Sequence, residues 1–198
     1  MCSLTGKGGL DFQTYLEIRN EYIEANQNLW LFQISAPRHF GEVFAQRYIQ
    51  DQCKALHKPS RTLDPDFDNE YDLWMDGIKI EVKASRAVDA NSKEPLYNKA
   101  LSRNSTKPFL MNFQQLKPQC CVVFIWLAVF RDEIILWVIN SQDVAEHPLF
   151  SKGEHRGNKG NEGQLHVKHD NTELLKEFEL AQRDLETVIR DTVVKRPK

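Results

Sequence analysis

Long apolar runs are missing from this sequence. The longest, Cys120 to Phe130, stops at Arg131-Asp132-Glu133 and is too short to cross a bilayer. The chain opens without a charged-then-apolar leader, so a soluble, cytoplasmic protein with no membrane partner is the expectation. Cysteine is scarce: Cys2, Cys53, Cys120 and Cys121 show no C-x-x-C or other metal-ligand spacing, which argues against both a disulfide framework and a zinc site. Internal repeats, low-complexity tracts and any ATPase or helicase motif are absent too. Nor does one sign of charge dominate. Lys and Arg number 26 against 28 Asp and Glu, a formal −2, so the whole-chain balance neither favours nor excludes a polyanionic partner. What remains, 198 residues with 41% apolar and 27% charged side chains, describes one ordinary globular domain.

Two amphipathic helices come first. From Asp11 to Asn26 the residues Phe12, Tyr15, Leu16, Ile18, Tyr22 and Ile23 fall mostly on one helical face. Pro37 opens a second helix, to His57, carrying Phe40, Val43, Phe44, Tyr48, Ile49, Cys53 and Leu56. After an acidic, Pro-containing break at 63–69 the period changes to two, and a catalytic sheet is expected over 71–140. Within it, 87–119 is polar and punctuated by Pro95, Pro108 and Pro118, and reads as a loop-rich insert with one or two short helices. Cys121 to Phe130 and Glu133 to Ile139 are β-branched and aromatic, as the middle strands of a sheet would be. Residues 151–169 read as a loop. A final helix, capped by Asp170 or Asn171, carries Leu174, Leu175, Phe178, Leu185, Val188 and Ile189 over 170–194. That stripe packs on its own sheet or supplies a subunit interface.

The informative stretch is Tyr71 to Lys83. Asp76-Gly77 is a favoured dipeptide for a two-residue hairpin turn, and that turn sets Leu73 opposite Ile80 and Asp72 opposite Glu81. Leu73, Met75, Ile78, Ile80 and Val82 then share an apolar face, while Asp72, Trp74, Lys79, Glu81 and Lys83 share the other. Two carboxylates facing each other repel unless a cation or proton intervenes. Mg²⁺ fits: it takes hard oxygen ligands and is commonly held by one or two carboxylates plus a substrate phosphate. Lys83 points the same way and can approach a water or a phosphate oxygen, a constellation suited to phosphodiester hydrolysis. The plain alternative is a solvated hairpin face.

Asp72 and the triplet Glu81-Val82-Lys83 resemble the motif of the PD-(D/E)XK nuclease superfamily, to which many type II restriction endonucleases belong. The resemblance implies a helix before a mixed sheet, with the first acid and the triplet on neighbouring strands. It implies Mg²⁺ held by Asp72, Glu81 and the Val82 carbonyl, Lys83 orienting or activating water, and Glu42 on the preceding helix as a further acid. No Pro precedes Asp72, whereas Pro65-Asp66 spells the literal dipeptide nearby; the hairpin register favours Asp72, and Asp66 is the alternative first acid.

Two segments are locally basic. Between Lys83 and Lys107 six Lys and Arg stand against two acids, a net +4, and between Ser151 and His169 four stand against two, a net +2. Ser85, Arg86, Arg103 and Asn104 in the first, and His155, Arg156, Asn158, Lys159 and Asn161 in the second, are the candidate contacts to double-stranded DNA. The fold expected is a single α/β domain with a mixed central β-sheet flanked by helices, a restriction-endonuclease-like core. The function expected is Mg²⁺-dependent hydrolysis of DNA phosphodiesters, with a type II restriction endonuclease favoured by analogy of fold and size. The alternatives are a repair or junction-resolving nuclease and a non-catalytic DNA-binding module. A homodimer is expected, because a two-fold duplex site is most simply read by a two-fold dimer.

Overall fold

The Asp76-Gly77 turn forms because both residues accept left-handed backbone angles, φ +48° and +87°. It joins β1 (Leu73–Met75) to β2 (Ile78–Arg86) in the expected register, Met75 opposite Ile78 and Leu73 opposite Ile80. The computed structural model describes residues 12–153 and 162–195. On its other side β2 pairs in parallel with β5 (Val123–Val129), and β5 pairs antiparallel with β6 (Ile134–Asn140). The result is a mixed four-stranded sheet in the order β1-β2-β5-β6. A second sheet, antiparallel throughout, contains β3 (Val88–Asp89), β4 (Phe109–Leu116), β8 (Gly163–Lys168) and β7 (Phe150–Lys152), in that spatial order.

Alternation along β5 builds both cores. Val123, Ile125 and Leu127 face helix α2, which runs over residues 37–52, and helix α4 (Leu185–Lys195), packing with Phe40, Ile49, Val188 and Ile189. Phe124, Trp126 and Ala128 face the second sheet, where Phe113 stacks on Trp126 at 5.0 Å. The layers are therefore helix, mixed sheet, antiparallel sheet, in one α/β domain. The two longer helices of the core cover one face of the mixed sheet; its other face is covered chiefly by the antiparallel sheet, with Val144 and Leu175 beside it, in place of the expected helices. Helix α3 (Ser141–Glu146) is short and capped by the Asn140 side chain, which accepts the Gln142 N–H at 2.9 Å. Among the described residues no helix is long and apolar enough to cross a membrane.

Several expected elements differ. The 87–119 insert contains no helix; it holds β3 and the eight-residue β4, whose buried Phe109, Met111 and Phe113 alternate with less buried neighbours once Pro108 has ended the loop. The 151–169 loop is bounded by β7 and β8, paired as a hairpin, with residues 154–161 outside the described ones. Strand β6 lies at an edge rather than mid-sheet, and that edge is covered where the Leu180 N–H donates to the Leu136 carbonyl at 2.8 Å. The C-terminal helix is two pieces. A 3₁₀ stretch, Thr172–Phe178, ends where the chain pairs with β6, Ala181 turns it at φ +49°, and Asp184 starts α4 by accepting the Thr187 N–H at 2.8 Å. Both pieces bury their apolar residues in the protein's own cores, Leu175 in one and Leu185, Val188 and Ile189 in the other. The C-terminal stripe thus packs on its own sheets.

Candidate active site

The alternation that sends Ile80 and Val82 into the helix-side core turns Glu81, Lys83 and Ser85 the other way, toward β4. There they line a cleft of about 830 Å³, walled by the start of α2 on one side and by β4 on the other. Asp72, Glu81, Val82, Lys83 and Glu42 all line it; Asp66 does not.

The carboxylate pair forms by a route slightly different from a ladder pair. Regular pairing ends at Leu73, and the Asp72 amide donates to the Ile80 carbonyl at 3.0 Å. The Asp72 side chain then continues the ladder in place of backbone: its Oδ2 accepts the Val82 N–H at 2.9 Å. Its Oδ1 accepts the Gln46 Nε2 at 2.6 Å. The Gln46 Oε1 in turn accepts from the Lys58 ammonium, which fixes the amide with its NH₂ toward Asp72. A strand residue's N–H and C=O project to one side, so the Val82 carbonyl opens toward Asp72 beyond the end of β1.

Glu81 is nearly out of solvent, its side chain 14% exposed, and Lys83 Nζ lies 2.5 Å from its Oε1. Burial pushes its carboxyl up to about 7, and the hydrogen-bonded Asp72 carboxyl beside it adds to the rise, against the opposing pull of Lys83. Two acids therefore stand side by side, with the Lys83 ammonium paired to Glu81. The donor set of two carboxylates and the Val82 carbonyl suits a hard divalent cation completed by water or phosphate oxygens. Among the described residues no group of three or more His, Cys, Asp or Glu could hold a metal. The fit thus rests on the carboxylate pair and the carbonyl.

The remaining expected residues are distributed unevenly. Glu42 stands at the cleft in the π-helical stretch His39–Ala45 of α2 and accepts from Arg38 Nε at 2.7 Å, its side chain more than half exposed. Ser85 Oγ accepts the Asn112 N–H at 2.9 Å and so ties β2 to β4 beneath the cleft. Arg86 reaches the cleft wall, but its guanidinium is engaged internally: it donates to the Leu31 and Ile34 carbonyls at 3.0 and 2.7 Å and lies 4.1 Å over the Phe40 ring. Arg103 and Asn104 do not line the cleft; Arg103 pairs with Glu133 at 2.9 Å and with Glu179 at 3.3 Å near the β5–β6 turn. Lys107, counted in the basic segment, pairs with Asp89 at 3.3 Å. Of the net +4 of that segment, the charges of Lys83 and Arg103 are thus met by acids outside it. His155, Arg156, Asn158, Lys159 and Asn161 lie outside the described residues.

Sequence reasoning missed four residues. Gln46 and Lys58 hold Asp72, and the signal for Gln46 was its place three residues after Val43 and three before Ile49, a buried polar group on an apolar stripe. Gln114 and Gln115 are exposed in the cleft at a β-bulge between Phe113 and Leu116, where Gln115 adopts φ +56°. Asn112 Oδ1, buried beside them, has no hydrogen-bond partner among the described residues.

Among the described lining residues the cations are Arg38, Lys83, Arg86 and Lys117, and the acids are Glu42, Glu70, Asp72, Glu81 and Glu162. Lys117 is shared between Glu70 at 2.7 Å and Glu162 at 3.4 Å. The cleft is thus slightly acidic, and a divalent cation would reverse its sign. No protein-family model matches this chain, and neither does any curated protein.

Proposed function

We propose that this cleft is the active site of a Mg²⁺-dependent endonuclease hydrolysing DNA phosphodiester bonds, of the PD-(D/E)XK kind and specifically a type II site-specific restriction endonuclease. The observation that carries the reading is the contact between the Asp72 and Glu81 carboxyls beside Lys83 at the floor of an 830 Å³ cleft. A solvated hairpin face offers no reason to bury like charges together; a cation site does.

Asp72, Glu81 and the Val82 carbonyl would hold the ion. When bound, Mg²⁺ supplies polarisation of a phosphoryl oxygen and a lower pKa for the attacking water. The protein's own groups do the rest. Lys83 donates its ammonium hydrogens to the water or to a phosphate oxygen, and Gln46, fixed by Lys58, holds Asp72 in one rotamer. Glu42 stands at the rim, paired with Arg38. Gln114 and Gln115 carry amides that can pair with the N6 and N7 edge of adenine, and the bulge aims them at the cleft rather than along a regular strand.

The test is incubation of long duplex DNA with the protein in Mg²⁺ or in EDTA, read on a gel. Discrete fragments in Mg²⁺ alone are the expected result. A smear would replace site-specific cutting by a repair-type or non-specific nuclease. No cleavage of duplex, branched or modified DNA under any divalent ion would overturn the nuclease reading.

A further inference from the structure

Helix α1 (Phe12–Ala25) buries none of its fourteen residues. On 3.6-residue geometry Phe12, Tyr15, Leu16, Tyr22 and Ile23 form one stripe, with Ile18 at its edge. Yet Phe12 is 75% exposed, and Tyr15, Ile18, Tyr22 and Ile23 are each about half exposed. An apolar helix held in water is unstable in isolation at this length. The same chain carries an unfilled apolar groove of about 650 Å³, lined by Trp30, Ile34, Val43, Phe44 and Tyr48, in which Trp30 and Val43 are more than half exposed.

The helix does not fill its own groove. Three residues separate α1 from the turn bearing Trp30, and two of them are bonded to the turn between β5 and β6. The Asn28 N–H donates to the Arg131 carbonyl at 2.9 Å, and Gln27 Nε2 donates to the Asp132 carbonyl at 3.3 Å. None of the residues of α1 lines the groove.

We infer that a second copy of this chain fills the groove: α1 of each protomer lies in the Trp30–Val43–Tyr48 groove of its partner, giving a two-fold, reciprocal dimer. Area supports that occupant. At ~200 Å² per aromatic, Phe12, Tyr15, Tyr22 and Trp30 alone leave about 450 Å² exposed on each copy. With Ile18, Ile23 and Val43 added on both copies, the sum approaches the ~1,200–2,000 Å² of a stable interface. Charge supports it in one pairing: Arg19, which lies within the helix stripe, can meet Asp51 at the groove rim. A helix laid into a partner's groove and repaid in kind is an isologous contact.

The experiment is sedimentation equilibrium of the full chain, of Tyr22→Glu and of Val43→Glu, with thermal melts of each. Both sites lie outside the buried cores, so the fold is expected to persist in the variants. The wild type sediments as a dimer at micromolar concentration, and each variant shifts toward monomer by at least tenfold in dissociation constant. Mixing the two variants restores part of the dimer, because one intact helix meets one intact groove. A monomeric wild type at 100-fold higher concentration would overturn the proposal, as would a dimer untouched by either charge. Loss of the dimer in Tyr22→Glu alone would also overturn it, by pointing to helix–helix packing without the groove. None of these readouts uses DNA, so they stand apart from the nuclease reading.

Discussion

Replacing Glu81 by Gln should stabilise the metal-free protein at high pH while removing its proposed activity. A carboxyl held at about 7 instead of the ordinary 4.5 is neutral in both folded and unfolded chains at low pH, and there it carries no penalty. As pH rises from about 4.5 the unfolded chain ionises first, so the folded state loses ground until the buried carboxyl is also ionised, above about 7. At ~1.4 kcal/mol for each tenfold, the full difference is about 3 kcal/mol. Lys83 already offsets part of the burial, and that offset is contained in the figure. Gln has no such dependence. Urea unfolding in EDTA at pH 5 and pH 8 should show wild type losing stability relative to Glu81→Gln across that interval, by an amount on the order of 3 kcal/mol. Adding Mg²⁺ at pH 8 should recover much of the loss in wild type and little in the variant, since ligand binding to the native state stabilises it by mass action. The same pH dependence in both proteins would refute the burial of the Glu81 carboxyl beside Asp72 as the source of that loss.

Gln46→Ala frees the Asp72 carboxylate from one of its two donors, and cleavage should fall about 10–100-fold with little change in melting temperature, as for other groups that orient a metal ligand. Arg86→Ala should cost stability instead, about 2–4 kcal/mol in denaturant unfolding, because two carbonyls lose a charged donor and Phe40 loses its cation. Arg103→Ala should leave the salt dependence of DNA binding unchanged, since its charge is met by Glu133 and Glu179; a shallower slope would place it on the DNA. Gln114→Ala with Gln115→Ala should relax the cut site at one or two positions while sparing the rate on the relaxed set, measured by sequencing fragment ends; an unchanged site would remove both from base reading.

The hairpin was legible because it is local. Turn chemistry at Asp76-Gly77 and a period of two over nine residues determine the register and the facing of Glu81 and Lys83 without help from the rest of the chain. The Asp72 contact came out as a side chain extending the ladder rather than as a ladder pair, because the backbone leaves the sheet one residue early. The second sheet was obscured by length. Its β3 and β7 have two and three residues, and β4 carries a bulge that breaks its alternation after Phe113. The C-terminal stripe kept helical spacing across Ala181 by coincidence of period, while pairing with β6 and the Asp184 cap divided it. Gln46 and Lys58 act on Asp72 from 26 and 14 residues away in sequence, and only the folded chain brings them together.

The most direct measurement is the rate of cutting a supercoiled plasmid in Mg²⁺ by wild type, Asp72→Asn, Glu81→Ala and Lys83→Ala, each checked for folding by its melt. The account predicts Mg²⁺-dependent cutting by wild type and a loss of at least 10²-fold in every variant. Wild-type activity retained in EDTA, or undiminished in Asp72→Asn and Glu81→Ala, would contradict it.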